Sequence, residues 1–274
     1  MRIGDIPVGD GAPLVLIAGV NVIESEEVTL AVAYRVREIA ERQDFPVVFK
    51  ASVDKANRSS LASYRGLGFD EGLRVLARAR AETEIPVMTD VHEPGQAKPV
   101  AEVADCLQIP AFLCRQTDLL VACAATGRPV NIKKGQFMAP LDIRHAVEKV
   151  LAHGTSGALV SERGTTFGYD DLVVDMRGLV QMRAFAPVCF DATHSVQRRR
   201  PGEASSNGDR AMVAPLARAA VAVGLDALFV EVHPDPDAAP CDGPSQLGYE
   251  DFERLLTEVR AIDRALSGSR IATR

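Results

Sequence analysis

Eight times along this chain a short β-rich run ends in polar residues, and in most cases a longer stretch with helical periodicity follows. The runs are 14–19, 47–50, 87–91, 106–109, 130–133, 158–161, 188–191 and 227–232. Helical patterns lie between them, among others at 26–43, 70–83, 143–153, 172–185, 210–223 and 249–266. Proline opens several runs (Pro13, Pro46, Pro86, Pro129, Pro187), where no ladder hydrogen bond is lost. Eight strand–helix units predict a closed parallel sheet, a (β/α)8 TIM barrel of the α/β class, rather than an open one. The length of 274 residues suits one such barrel, so 1–274 is expected to be a single catalytic domain. Residues 1–11, with turn formers at Pro7 and Gly9–Gly11, are expected to form a short N-terminal hairpin capping the barrel bottom. The Arg-, Gly- and Ser-rich stretch 197–209 is expected to be a mobile loop over the site, and 267–274 a frayed tail.

Composition narrows the function. A formal net charge of -6 argues against a general nucleic-acid or membrane-surface binder, so any anion site must be a local cluster of cations. No apolar run reaches the length of a membrane span. The apolar stretch 13–23 lacks a basic leader and ends in Glu24-Ser25-Glu26-Glu27, which fits a first strand and its loop better than a signal peptide. Five scattered cysteines without a CxxC pair signal neither a disulfide framework nor a zinc site, and a cytoplasmic protein with reduced thiols is expected.

Barrel enzymes carry their chemistry at the C-terminal ends of the strands. Here those ends carry Asn21 and Glu24; Lys50, Ser52, Asp54, Lys55, Asn57, Arg58 and Ser59; Asp90, His92 and Glu93; Gln108 and Arg115; Lys133, Lys134 and Gln136; Glu162 and Arg163; Asp191 and His194; and Glu231, His233, Asp235 and Asp242. Loops are polar in any case. Lys50, Lys133, Asp191 and Glu231, however, end apolar runs, and a charge in a narrowing barrel mouth is costly without a partner or ligand. Lys50, Lys55, Arg58, Lys133 and Arg163 are expected to converge from three strand ends. One phosphate or carboxylate takes two or three such donors, so the set implies at least two anionic groups. His194, Glu231 and Asp242 can meet on one side of the mouth, either as ligands of a divalent metal or as a hydrogen-bonded polar network. His145 and His153 fall on a helical pattern and are expected at the surface.

At these positions the chain resembles the 3-deoxy-D-manno-octulosonate-8-phosphate synthases, from about Gly4 to about Leu266. The resemblance is carried by Asn21-Val22-Ile23-Glu24-Ser25, Lys55-Ala56-Asn57-Arg58-Ser59-Ser60, Gln108-Ile109-Pro110-Ala111-Phe112-Leu113, Asn131-Ile132-Lys133-Lys134, Phe190-Asp191-Ala192-Thr193-His194 and Cys241-Asp242-Gly243-Pro244-Ser245. It implies a barrel enzyme, a transferase of lipopolysaccharide precursor synthesis, usually a homotetramer. Its partners are phosphoenolpyruvate and arabinose 5-phosphate, which it condenses with water to the eight-carbon sugar acid phosphate and inorganic phosphate. By resemblance, Lys55, Lys133 and Arg163 hold the phosphoenolpyruvate phosphate and carboxylate, and Gln108 and Ala111 line that pocket with Gln136 nearby. Lys50 lies between the substrates, Asn57, Arg58 and Ser59 hold the sugar and its phosphate, and Arg115 reaches a neighbouring subunit's sugar phosphate. His194, Asp242 and Glu231 are expected to place water and move protons, with Asp90 and His92 in support.

The family has two types, and metal-dependent members carry cysteine where this chain has Asn21. A neutral amide oxygen is a far weaker ligand than a thiolate, so no required metal or other cofactor is expected. Gly135 departs from the metal-independent pattern, where proline is common, and the 198–210 segment is more basic than the family's usual loop. Three rivals fit parts of the pattern. They are a heptulosonate-7-phosphate synthase, against which Asn21 argues, a Schiff-base aldolase using Lys133 or Lys50, and a non-catalytic sugar-phosphate binder on the same scaffold.

Overall fold

The computed structural model describes residues 1–57, 60–168, 172–198 and 207–266. Arg58, Ser59, Tyr169, the middle of the 197–209 stretch and the 267–274 tail lie outside the described residues. An N-terminal hairpin, β1 (Arg2–Ile3) and β2 (Ile6–Pro7), comes first. There follow β3 (Val15–Gly19), α1 (Glu26–Arg42), β4 (Val47–Lys50), α2 (Phe69–Thr83), β5 (Val87–Asp90), α3 (Ala97–Val103), β6 (Cys106–Ile109), α4 (Thr117–Ala124), β7 (Val130–Lys133), α5 (Arg144–Leu151), β8 (Ala158–Glu162), α6 (Met176–Arg183) and β9 (Val188–Asp191). A small antiparallel ladder, β10 (Gln197–Arg198) with β11 (Asn207–Gly208), precedes α7 (Val213–Val223), β12 (Ala227–Glu231) and α8 (Tyr249–Leu266). The parallel strands β3 to β9 and β12 close on themselves, with β12 pairing both β9 and β3. The expected TIM barrel is present, and its strand boundaries agree with the sequence reading to within a residue.

Two apolar layers hold it together. One lies between sheet and helices and takes the outward-facing residues of the strands, such as Val47 and Phe49, with the inner helix faces, such as Val32, Val36 and Ile39 of α1. The other fills the barrel itself with Val15, Ile17, Val48, Met88, Cys106, Leu159, Cys189, Ala227 and Phe229. Ile3 and Val8 join this inner layer, so the N-terminal hairpin plugs the barrel bottom. Its turn is Gly4-Asp5, with Gly4 at a φ of 54°, rather than the Pro7–Gly11 stretch, because two central residues with a glycine at positive φ match the twist of a two-residue hairpin.

Strand side chains alternate between faces. On the inward face five strands therefore climb from an apolar residue to a polar one two positions on: Val48 to Lys50, Met88 to Asp90, Cys106 to Gln108, Cys189 to Asp191, and Phe229 to Glu231. The apolar residues fill the barrel, and the polar ones form a ring across its mouth. Gly19 belongs to this construction, since a Cβ there would lie 2.1 Å from the Lys50 carbonyl oxygen. Its absence lets β3 and β4 approach at the height of the ring.

Candidate active site

Lys50 and Asp90 are the centre of one half of the ring. The Lys50 Nζ donates to Ser52 Oγ at 2.7 Å and Glu231 Oε1 at 3.3 Å, and lies 3.6 Å from Asp90 Oδ2. Asp90 accepts from the Ser52 hydroxyl on one oxygen and the Gln108 amide on the other. Gln108 in turn accepts from Asn131 Nδ2 at 2.9 Å, and Asn131 accepts from Ser161 Oγ at 2.8 Å. This chain of donors runs through β6, β7 and β8 and terminates on one carboxylate. Burial alone would raise the Asp90 pKa, but Lys50 and Lys55 outweigh it and hold the carboxyl well below the usual range. The same carboxylates raise Lys50 against its own burial. Lys55 is half-buried beside Ser52, at 3.3 Å, and its pKa is lowered by burial first and by Lys50 second.

The other half is built on Asp191, His194, Glu231 and Asp242. Asp191 is fully buried; it meets Lys133 Nζ at 2.8 Å and accepts from the His194 backbone N–H at 2.9 Å. His194 Nδ1 lies 3.0 Å from Asp191 Oδ1, which orients the ring so that Nε2 faces Glu231 Oε1 at 3.8 Å and Asp242 Oδ2 at 3.9 Å. Phe229 forms the floor, with Lys133 Nζ 4.4 Å and Lys50 Nζ 5.6 Å from its ring centre. Burial would raise the Glu231 pKa, but His194, Lys50, Lys55 and Lys133 together bring it down to about 2.

His194, Glu231 and Asp242 offer ligand atoms within 4.8 Å of one another, as expected for a shared cluster. Asn21 occupies the remaining side. Its Nδ2 donates to Glu231 Oε2 at 2.6 Å and to Asp242 Oδ2 at 3.1 Å. The amide orientation is fixed chemically, because the alternative would set a carbonyl oxygen against two carboxylates. Asp242 sits at a φ of 51°, an uncommon conformation for a non-glycine residue. The residue after it has no room for a side chain, since a Cβ on Gly243 would lie 2.3 Å from the Pro236 carbonyl oxygen.

Arg163 braces the second set. Its Nη2 donates to Gln197 Oε1 at 2.6 Å and to the His194 carbonyl at 3.0 Å, and Gln197 Nε2 donates to Asp242 Oδ1 at 2.9 Å. Gln197, Asp191 and Ser52 were not among the residues to which the sequence reading gave a role. Asp191 and Ser52 each lie two positions after an inward residue, which is the signal that marks them. Gln197 carries no local signal, for its partners come from two other loops.

The remaining expected residues lie around this centre. Ala111 is buried just after β6, and Gln136 is buried in the loop after β7. His92 is half-buried after β5, and burial lowers its pKa. Asn57 and Arg115 are exposed at the mouth's edge. His145 and His153 are at the surface, as expected. The five cysteines are free, four of them buried. Gly135 has a local reason: a Cβ there would lie 2.7 Å from the Phe137 ring and 3.2 Å from Cys114 Sγ. Among the described residues no helix is long and apolar enough to cross a membrane.

The chain is similar over nearly its whole length to proteins named 2-dehydro-3-deoxyphosphooctonate aldolase. One from Syntrophotalea carbinolica is 51% identical over 98% of each chain. One from Trichlorobacter lovleyi is 52% identical over 96% of this chain and 97% of its own. One from Desulfotalea psychrophila is 51% identical over 96% and 94%. Residues 2–267 match the DAHP synthetase I family. The chain belongs to the DAHP synthetase I family, and within it to the 2-dehydro-3-deoxyphosphooctonate aldolases.

Proposed function

We propose that this enzyme condenses phosphoenolpyruvate with D-arabinose 5-phosphate and water, giving 3-deoxy-D-manno-octulosonate 8-phosphate and inorganic phosphate, in the cytoplasm and as a step toward lipopolysaccharide. One juxtaposition carries the reading: the anion-binding cations Lys50, Lys55, Lys133 and Arg163 share one barrel mouth with the His194–Glu231–Asp242 cluster. Carbon 3 of phosphoenolpyruvate attacks the sugar aldehyde carbon, the aldehyde oxygen takes a proton, water adds at carbon 2, and phosphate leaves by carbon–oxygen cleavage. Lys55, Lys133 and Arg163 clamp the phosphate and carboxylate, with Gln108, Ala111 and Gln136 beside them, and the clamp replaces a chance encounter with an oriented one. Asn57, Arg58 and Ser59 take the sugar phosphate, and Arg115 completes the site of a neighbouring copy in a homotetramer. His194 Nε2, Glu231 and Asp242 position the water and move its protons, with Asp90 and His92 in support. Lys50 stands between the substrates and offers positive charge to the developing alkoxide.

The reaction needs no metal in this reading. The Asn21 amide supports it: a neutral donor group bridges the Glu231 and Asp242 carboxylates. Replacing a thiolate with an amide also removes the strongest ligand from the set. The test is turnover in a strong chelator, with arabinose 5-phosphate or erythrose 4-phosphate as partner. Phosphate release with the five-carbon sugar alone, undiminished by the chelator, is expected. Loss of turnover in chelator and its return with a divalent metal would overturn the metal-independent part. Preference for erythrose 4-phosphate would overturn the substrate.

A further inference from the structure

Behind the anion clamp lies a second pair of charges with no assigned task. β7 and β8 are in register at Lys133 and Ser161. Both of these face the interior, where Lys133 meets Asp191 and Ser161 meets Asn131. Alternation therefore turns Lys134 and Glu162 to the outer side of the wall, yet both are buried, at 0% and 2% exposure. The Lys134 Nζ uses its three donor directions on the Met138 carbonyl at 3.1 Å, the Gly135 carbonyl at 3.2 Å and Glu162 Oε2 at 3.6 Å. The other Glu162 oxygen accepts from the Gly164 backbone N–H. One ammonium thus closes the turn that carries Gln136, and through Glu162 it also fixes the backbone on either side of Arg163. Thr166 N–H, donating to the Gln136 carbonyl at 3.1 Å, ties the same two loops a second time.

Stability does not explain the pair. An ion pair taken fully out of water is often no better than two apolar side chains of similar volume. Burial pushes the Glu162 carboxyl above the ordinary range despite the pull of Lys134, so the cost is present here. What apolar residues could not do is hold two carbonyl oxygens and one N–H at fixed positions.

We propose that Lys134 and Glu162 are positioning residues that set Lys133, Gln136 and Arg163 at the spacing required by the phosphoenolpyruvate anion. The proposal rests on the assignment of that anion to Lys133 and Arg163. The experiment compares Lys134→Met, Glu162→Gln and the double variant Lys134→Met/Glu162→Leu with the wild type, reading Tm and the KM of each substrate. Lys134→Met strands a buried carboxyl and is expected to lose both stability and phosphoenolpyruvate affinity. The double variant removes both charges, so its Tm is expected to return most of the way. Its KM for phosphoenolpyruvate is expected to stay raised on the order of ten- to a hundredfold, as for a small misplacement of binding groups, with the KM for arabinose 5-phosphate little changed. Glu162→Gln keeps the Gly164 acceptor and is expected to fall between the two. If KM recovers together with Tm, or if Glu162→Gln and the double variant both keep the wild-type KM, the pair is structural and the proposal is wrong. Arg163→Ala serves as the control: a wild-type KM for phosphoenolpyruvate there would defeat the anion assignment itself.

Discussion

Glu231→Gln isolates the electrostatic design of the barrel mouth, because it keeps the shape and removes one buried charge. Glu231 is fully buried, and its pKa is brought from 4.5 to about 2 by His194 and the three lysines against the cost of burial. A shift of that size corresponds to ~3 kcal/mol of stability at neutral pH, since each tenfold change in proton affinity is worth about 1.4 kcal/mol. The folded-state value is depressed, so this stability is present above the unfolded pKa and is lost as pH falls from about 4.5 through about 2. Urea unfolding of both proteins at pH 7 and pH 4 is the assay. The variant is expected to be less stable by ~3 kcal/mol at pH 7, and the gap to narrow by just under ~1 kcal/mol at pH 4. In a chain of this size the loss lowers Tm by roughly 6–12 °C. Equal stability at pH 7, or a gap that widens on acidification, would show that Glu231 is not held ionised by its neighbours.

Three further outcomes follow from the same geometry. Lys55 has a lowered pKa, so kcat/KM for phosphoenolpyruvate should fall on the alkaline side earlier than an ordinary lysine would allow. The effect should be weaker in kcat, where bound anion restores the proton; identical alkaline limbs in both profiles would count against Lys55 as an anion ligand. Asp191→Asn removes the carboxylate that orients the His194 ring through Nδ1 and leaves Lys133 without its partner, and kcat should drop by about 10²- to 10⁴-fold in a folded protein. A circular-dichroism spectrum and Tm taken alongside kcat separate this from unfolding, and near-normal kcat would refute the orienting role of Asp191. Burial pushes all five thiols up, but Cys106, Cys114, Cys123 and Cys189 are buried whereas Cys241, beside Asp242, is partly exposed. A thiol reagent should therefore label one cysteine in the native enzyme, identified by peptide mass, and rapid labelling of more than one would contradict the packing of the barrel interior.

Much of the fold was legible because barrel strands are short, opened by proline and closed by a charge at a fixed height. That is why 47–50, 130–133 and 188–191 coincide with β4, β7 and β9. The short helices α3 and α4 were harder to read, with two turns each and little periodicity to display. The site was legible where one residue carries its own signal, such as a lysine ending an apolar run. It was not legible where meaning comes from closure of the barrel. Asn21 meets Asp242 across 221 positions, and Gln197 joins Arg163 to Asp242 only because β10 lies between their loops. Lys134 looked like a second copy of Lys133, yet strand alternation sends it to the opposite face and a different partner.

The most direct test of the condensation uses phosphoenolpyruvate carrying ¹⁸O in the oxygen that bridges carbon 2 and phosphorus. With arabinose 5-phosphate and chelator present, the released phosphate should carry the label, and the eight-carbon product should take its carbon 2 oxygen from water. Unlabelled phosphate would place the attack at phosphorus and leave the His194–Glu231–Asp242 cluster without the water chemistry assigned to it.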